Sequence, residues 1–274
     1  MNQACGYLRK MRTETAPVVR YAFAFEAAHA PPNWNINDML GKSFRLCFTG
    51  SIRCIACSRE IKTSYQQGYC FPCTQKLAAC DICIVKPERC HFDQGTCRQP
   101  DWGLSHCMQP HIVYLSYTSG VKVGITRKTQ MPTRWYDQGA TSAVAVMQVA
   151  TRYQSGCVEQ LATQWFKDKT EWRRMLKNHD SISLHDDAHY FIQQFLHHTE
   201  QLAPINHQLL PLKTQTITYP ILDHAAITLK SMDLNKTPRI EGKLIGVKGQ
   251  YLLFEHGVIN IRKFQGYHVE IEVR

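Results

Sequence analysis

Cys54-Ile-Ala-Cys57, then Cys70-Phe-Pro-Cys73, then Cys80-Asp-Ile-Cys83: three Cys-x-x-Cys pairs follow one another in the first third of the chain. Such a turn brings two soft thiols onto one metal ion, and two turns complete a tetrahedron. Ten of the twelve cysteines lie between Cys47 and Cys107, so the middle of the protein is expected to be organised around metal rather than around a hydrophobic core. The first two pairs, Cys54-x2-Cys57-x12-Cys70-x2-Cys73, have the spacing of a zinc ribbon, in which each pair tops a hairpin. Four thiolates without a carboxylate favour zinc or an iron–sulfur centre over magnesium. A closed four-sulfur site has no position for water, so its role is folding energy and shape. Buried free cysteines and redox pairs are the competing readings. The tandem knuckles, and the lack of a βαβ setting, count against both.

The second ligand set is open. Cys80 and Cys83 are followed by Cys90, His91, Cys97, His106 and Cys107. Thiolate outranks imidazole in a structural site, which favours Cys80, Cys83, Cys90 and Cys97, with Cys107, His91 and His106 as rivals. Two structural zinc sites are therefore expected. Arg53, Arg59, Lys62, Lys76, Lys86, Arg89 and Arg98 surround these cysteines and suit either a polyanion or plain solvent.

Outward from this block, the composition is that of a folded chain, with 44% hydrophobic and 20% charged residues. The longest apolar runs, such as Ala143–Met147, are strand-length and too short to span a bilayer. No apolar stretch with a small-residue cleavage site stands near the start, so a reducing cytoplasm is expected. A formal net charge of +10 favours nucleic acid as a partner through counterion release.

Val18–Phe25 and Phe44–Phe48 read as strands on either side of the turn-rich stretch 30–37. After Pro110 the pattern changes. His111–Ser116 and Val121–Thr126 form a predicted hairpin around Ser119–Gly120. Pro132–Gln138 suits a short helix ended by Gly139. Ala143–Thr151 is a strand. Ser155 is the expected cap of a helix whose apolar residues are Val158, Leu161, Trp165 and Phe166. Helices are also expected at Trp172–Lys177, with Trp172 facing the core, and at His189–His198. His185–Asp186–Asp187 and His197–His198 read as surface. From Ile240 onward, Ile240–Val247, Gln250–Phe254, Gly257–Arg262 and Tyr267–Val273 are short strands.

The order hairpin, helix, strand, helix, with Ile112-Val-Tyr114 and Lys122-Val-Gly-Ile-Thr126 on the hairpin, resembles the GIY-YIG nuclease domain over about residues 111–170. The first motif lacks its glycine and the second begins with lysine, as in a KIG-type branch. Thr163 stands where a histidine would follow Glu159. The resemblance implies that Tyr114 positions or activates the nucleophile, that Lys122 and Arg134 clamp phosphate, and that Glu159 holds magnesium. Arg127 is a neighbour able to replace Arg134. Phosphodiester cleavage needs such a trio of activator, cation and metal, and one carboxylate suffices for a magnesium ion that keeps its waters. Each residue also has an ordinary reading. Tyr114 fits a sheet aromatic, Gly124 relief of crowding, Arg134 a surface helix residue, and Glu159 a carboxylate in a helix's first turn.

The whole chain is also similar to a bacterial family of uncharacterised cysteine-rich proteins. The residues carrying that likeness are Cys80-Asp-Ile-Cys83, Gly95-Thr-Cys97-Arg98, Trp102-Gly103, His106-Cys107, Lys122 to Arg127, Thr133-Arg-Trp135, Asp137 to Ala140 and Asp168-Lys-Thr170.

The expected fold class is α+β multidomain. N-terminal strands (1–50) precede a zinc ribbon-like block (51–109), a GIY-YIG-like β-hairpin/α/β/α domain (110–203) and a small C-terminal β module (204–274). The expected function is zinc-stabilised nucleic-acid binding, with divalent-metal-dependent endonuclease activity as its sharper form. The alternatives are a non-catalytic RNA- or DNA-binding adaptor and a protein–protein module organised by zinc.

Overall fold

The computed structural model of the chain describes residues 2–29, 34–202 and 204–274. The prolines of the expected turn, Pro31 and Pro32, lie outside them. The strands are β1 (Asn2–Leu8), β2 (Arg12–Glu14), β3 (Arg20–Ala22), β4 (Phe25–His29) and β5 (Ser43–Ile52). Helices α1 (Phe71–Lys76) and α2 (Pro100–His106) lie in the cysteine-rich segment. Then come β6 (His111–Tyr117), β7 (Val121–Arg127), α3 (Thr133–Asp137), β8 (Ser142–Val149), α4 (Arg152–Ala162), α5 (Trp172–Lys177) and α6 (His185–His198). Strands β9 (His207–Leu209), β10 (Gln215–Thr216), β11 (Arg239–Lys248), β12 (Tyr251–Phe254), β13 (Gly257–Asn260) and β14 (Tyr267–Val273) follow. No described helix is long and apolar enough to cross a membrane.

The chain divides into two units, residues 1–75 with 218–274, and residues 76–217. The cysteine-rich segment is split between them, with Cys54 to Cys73 in the first and Cys80 to Cys107 in the second. The C-terminal strands join the N-terminal ones in one curled antiparallel sheet, ordered β13-β12-β11-β5-β14-β1-β4. Irregular register between Leu244 and Gly246, and between Tyr267 and Val269, bends the ladder. Strand β14 shows why these residues choose a sheet. Tyr267, Val269, Ile271 and Val273 point inward, while His268, Glu270 and Glu272 alternate with them toward solvent. Phe44, Leu46 and Phe254 are fully buried in the same core.

The second unit is built on the sheet β10-β8-β6-β7, with β9 also pairing β8. Its hydrophobic core joins Val113, Leu115, Val144 and Val146 of the sheet to Val158 and Leu161 of α4 and Phe191 and Phe195 of α6. This part of the chain therefore has a packed apolar interior of its own, beside the sulfur-rich segment that precedes it.

Three local expectations need correction. Helix α4 starts at Arg152, with the Thr151 side chain accepting from Gln154 N as its cap. Ser155 lies inside the helix and returns its hydroxyl to Arg152 O at 2.7 Å. Thr151 takes the cap because its backbone is extended (φ −136°, ψ 164°). Trp165 and Phe166 fall beyond the end of α4, although Phe166 still joins the core. Trp172 is only half-buried, and its ring lies 4.4 Å from the Arg173 guanidinium. Met175 and Leu176 are the residues that helix α5 buries.

Candidate functional site

Residues Cys54, Cys57, Cys70 and Cys73 place their sulfurs within 4.8 Å of one another. The turns that do this depend on unusual backbone. Ser58, Gln66 and Gln67 have positive φ (55°, 44° and 65°), and Tyr65 and Tyr69 pair across the intervening hairpin turn. Cys57 Sγ and Cys70 Sγ are 3.8 Å apart. That is the edge of a tetrahedron whose zinc–sulfur bonds are about 2.3 Å. Burial opposes ionisation of Cys54, but backbone N–H groups of Cys57, Cys70 and Ala56 overcome it and bring its thiol down to about 6. One of those donors, Cys70 N, is 3.2 Å from Cys54 Sγ. Burial, and hydrogen bonding in which Cys73 keeps its proton toward Cys70, Cys57 and Cys54, push Cys73 up, as expected when one thiolate is shared among neighbouring thiols. The four residues fit a zinc-binding block, with donors that are soft and convergent, and with the Cys54 thiol lowered toward its ionised form.

In the second unit, Cys83, Cys90, Cys97 and Cys107 line one small cavity together with Asp81, His91, Phe92 and Trp102. Cys80 is buried and is not among the residues lining it. His106 stacks on Trp102 instead, with ring centroids 4.1 Å apart. Asp81, Cys83 and His91 also come within 4.8 Å of one another. Asp81, however, already accepts from Arg98 Nε at 2.6 Å, and His91 Nδ1 is engaged with Thr96 Oγ1 at 2.7 Å.

Tyr114, Lys122, Arg134 and Glu159 form one electrostatic cluster. Strands β6 and β7 pair Tyr114 with Gly124 and Ser116 with Lys122. The fully buried Tyr114 hydroxyl donates to Gln138 Oε1 at 2.8 Å and accepts from Arg134. Burial raises its pKa, against the pull of Arg134. Arg134 is desolvated too, but the phenol, Asp137 and Glu159 hold its pKa above the ordinary value. Its buried Nε has no hydrogen-bond partner among the described residues. Lys122, 4% exposed, is lowered to about 8 by burial and then by Arg134, against Glu159 and Asp168. Glu159 is raised to about 7 by burial, with Asp168 adding and Arg134 and Lys122 opposing. The cluster is closed at Tyr114 and Lys122 and partly open at Arg134 and Glu159.

Some participants carried no recognisable signal in the sequence. Gln138 and Asp168 sit in quoted motifs but had no role until folding placed them beside Tyr114 and Lys122. Val123 N bonds Lys167 O at 2.9 Å, which brings Asp168 to the cluster. His111 is fully buried, with Nδ1 2.7 Å from Gln109 O and no partner for Nε2 among the described residues. Burial, then the Arg152 and Arg127 charges, lower it to about 4 despite the Gln109 bond.

A family model described as "Protein of unknown function (DUF2797)" matches residues 41–269. No curated protein and no solved structure matches the chain.

Proposed function

The chain belongs to that family of unknown function, and we propose that it is a zinc-stabilised, cytoplasmic nucleic-acid-binding protein. Its GIY-YIG-like segment, residues 110–203, cleaves phosphodiester bonds with a divalent ion. The observation that carries this reading is Arg134, whose unpartnered buried Nε lies in the same charge cluster as Glu159. A buried donor without an acceptor is costly, and the partly open remainder of the guanidinium beside it is the part that meets a phosphate oxygen. Arg134 clamps the scissile phosphate, and Lys122 adds a second positive charge where the transition state gathers negative charge. Tyr114 acts as a positioner: its raised pKa disfavours the phenolate, while its hydroxyl orients Arg134 and Gln138. Glu159 offers a hard oxygen donor at the accessible edge of the cluster, which suits magnesium. A magnesium ion there would supply Lewis-acid polarisation of the phosphate. The formal charge of +10 favours the polyanion that such a site acts on.

The test is a cleavage assay on mixed single- and double-stranded DNA and RNA with magnesium. Cutting that is lost in Glu159→Ala, with binding retained, supports the enzyme. Salt-sensitive binding without cutting under any divalent ion supports the second reading, a non-catalytic adaptor, which the burial of Tyr114 and Lys122 favours. Absence of salt-sensitive binding removes both.

A further inference from the structure

We propose that Cys83, Cys90, Cys97 and Cys107 hold one zinc-class ion, forming a second sulfur centre that fastens helix α4 to the cysteine-rich segment of residues 76–217. This ligand set takes Cys107 in place of Cys80, and it stands independently of the nuclease reading.

Three features support the assignment. The cavity these cysteines line has a volume of about 10 Å³, room for a single small occupant. Phe92 and Trp102 close it with rings, and Gly103 lets α2 approach. A Cβ on Gly103 would lie 2.7 Å from the Phe92 ring and 3.3 Å from Cys97 Sγ. Two of the thiols also interact directly: Cys107 donates to Cys90, which also receives the Phe92 N–H. Cys83 feels the Asp81 charge first and then those of Cys90 and Cys97.

The third feature is charge. Four thiolates around a divalent ion carry a net charge of about −2, which a buried site must offset. Arg152, the first residue of α4, faces both Cys107 and Cys83. Its guanidinium donates to Ile84 O at 2.7 Å, and its backbone N–H reaches Cys107 O at 2.8 Å. One residue thus supplies the counter-charge and ties the helix to both ends of the sulfur segment. Binding releases the thiol protons to solvent and involves no change of oxidation state.

The full chain is purified from zinc-supplemented medium and its metal measured by elemental analysis. Wild type is expected to hold about two zinc ions per chain and Cys80→Ser the same. Cys107→Ser is expected to hold about one, as is Cys54→Ser with its ribbon site broken. Cadmium-113 exchanged into the wild-type protein, which needs no variant to fold, is expected to give two resonances in the tetrathiolate range. A single resonance, or zinc lost from Cys80→Ser but kept in Cys107→Ser, overturns the assignment.

Discussion

Gly124 lies opposite Tyr114 in the β6–β7 ladder, and a Cβ on it would lie 2.6 Å from the phenol oxygen and 2.7 Å from the ring carbon that bears it. The glycine is therefore the space that the buried hydroxyl occupies. Tyr114 cannot yield without abandoning Gln138 and Arg134. Gly124→Ala is expected to destabilise the protein by about 1–3 kcal/mol through overpacking, read as a lower urea midpoint at unchanged slope. An unchanged midpoint would show that the phenol is free to move.

Helix α4 offers a test in which the usual sign reverses. In an exposed helix, glycine to alanine gains about 1 kcal/mol. At Gly156 the new Cβ would meet Glu88 N at 2.5 Å and Pro87 Cβ at 2.6 Å. Backbone cannot step aside as a side-chain tip can, so Gly156→Ala is expected to lower the melting temperature. A rise would mean that the Pro87–Arg89 turn is not seated on this helix.

Much of the fold was readable because its signals are local. The alternation of Tyr267–Val273 specified β14 to the residue, and the hairpin, short helix and strand after Pro110 fell in the expected order. The convergence of the Cys54–Cys57 and Cys70–Cys73 pairs was readable for the same reason, since two short spacings bring four thiols together, although the second pair opens helix α1 instead of topping a hairpin. What could not be read depended on partners distant in sequence. Cys107 meets Cys90 through packing, where Gly103 of α2 lies against the Phe92 ring and Arg152 bonds both segments. Ser155 carried a cap's chemistry, but Thr151 had the extended backbone. Trp172 looked like core, yet Met175 and Leu176 took that face of α5. Tyr114, Lys122, Arg134 and Glu159 were recognised through a resemblance. Their mutual burial, and hence their shifted acidities, emerged only with the packing.

Glu159 supplies a pH prediction. Its pKa in the folded protein is raised from 4.5 to about 7 by burial first and Asp168 second. Without a bound divalent ion, the stability this group contributes is present below about pH 4.5 and is lost as pH rises through about 7. Glu159→Gln is therefore expected to gain stability relative to wild type at about pH 8 and not at about pH 4. Equal differences at the two pH values, measured by urea denaturation, would refute the shift. Divalent affinity should run the opposite way. Manganese binding, followed by calorimetry, is expected to strengthen from about pH 6 to about pH 8, as the proton ceases to compete.

Removing one thiol from the four-cysteine cluster tests a structural role for metal there. Cys73→Ser leaves three thiols where Cys54, Cys57, Cys70 and Cys73 now converge. Because binding energy at such a site is folding energy, the variant is expected to lose a zinc ion and melt at lower temperature by calorimetry. Retention of full zinc content would place the metal elsewhere.

The pairing of β1 with β14, from Asn2↔Val273 to Tyr7↔His268, has a consequence for biosynthesis. As the nascent chain leaves the ribosome, residues 76–217 emerge as one uninterrupted stretch, whereas β1 and β5 wait for β14 to be translated. Until then their hydrogen-bonding edges stand open, a template for association with other chains. A message truncated after about codon 217 would release a product with that edge permanently exposed, and quality-control proteases, rather than the folded state, would decide its fate.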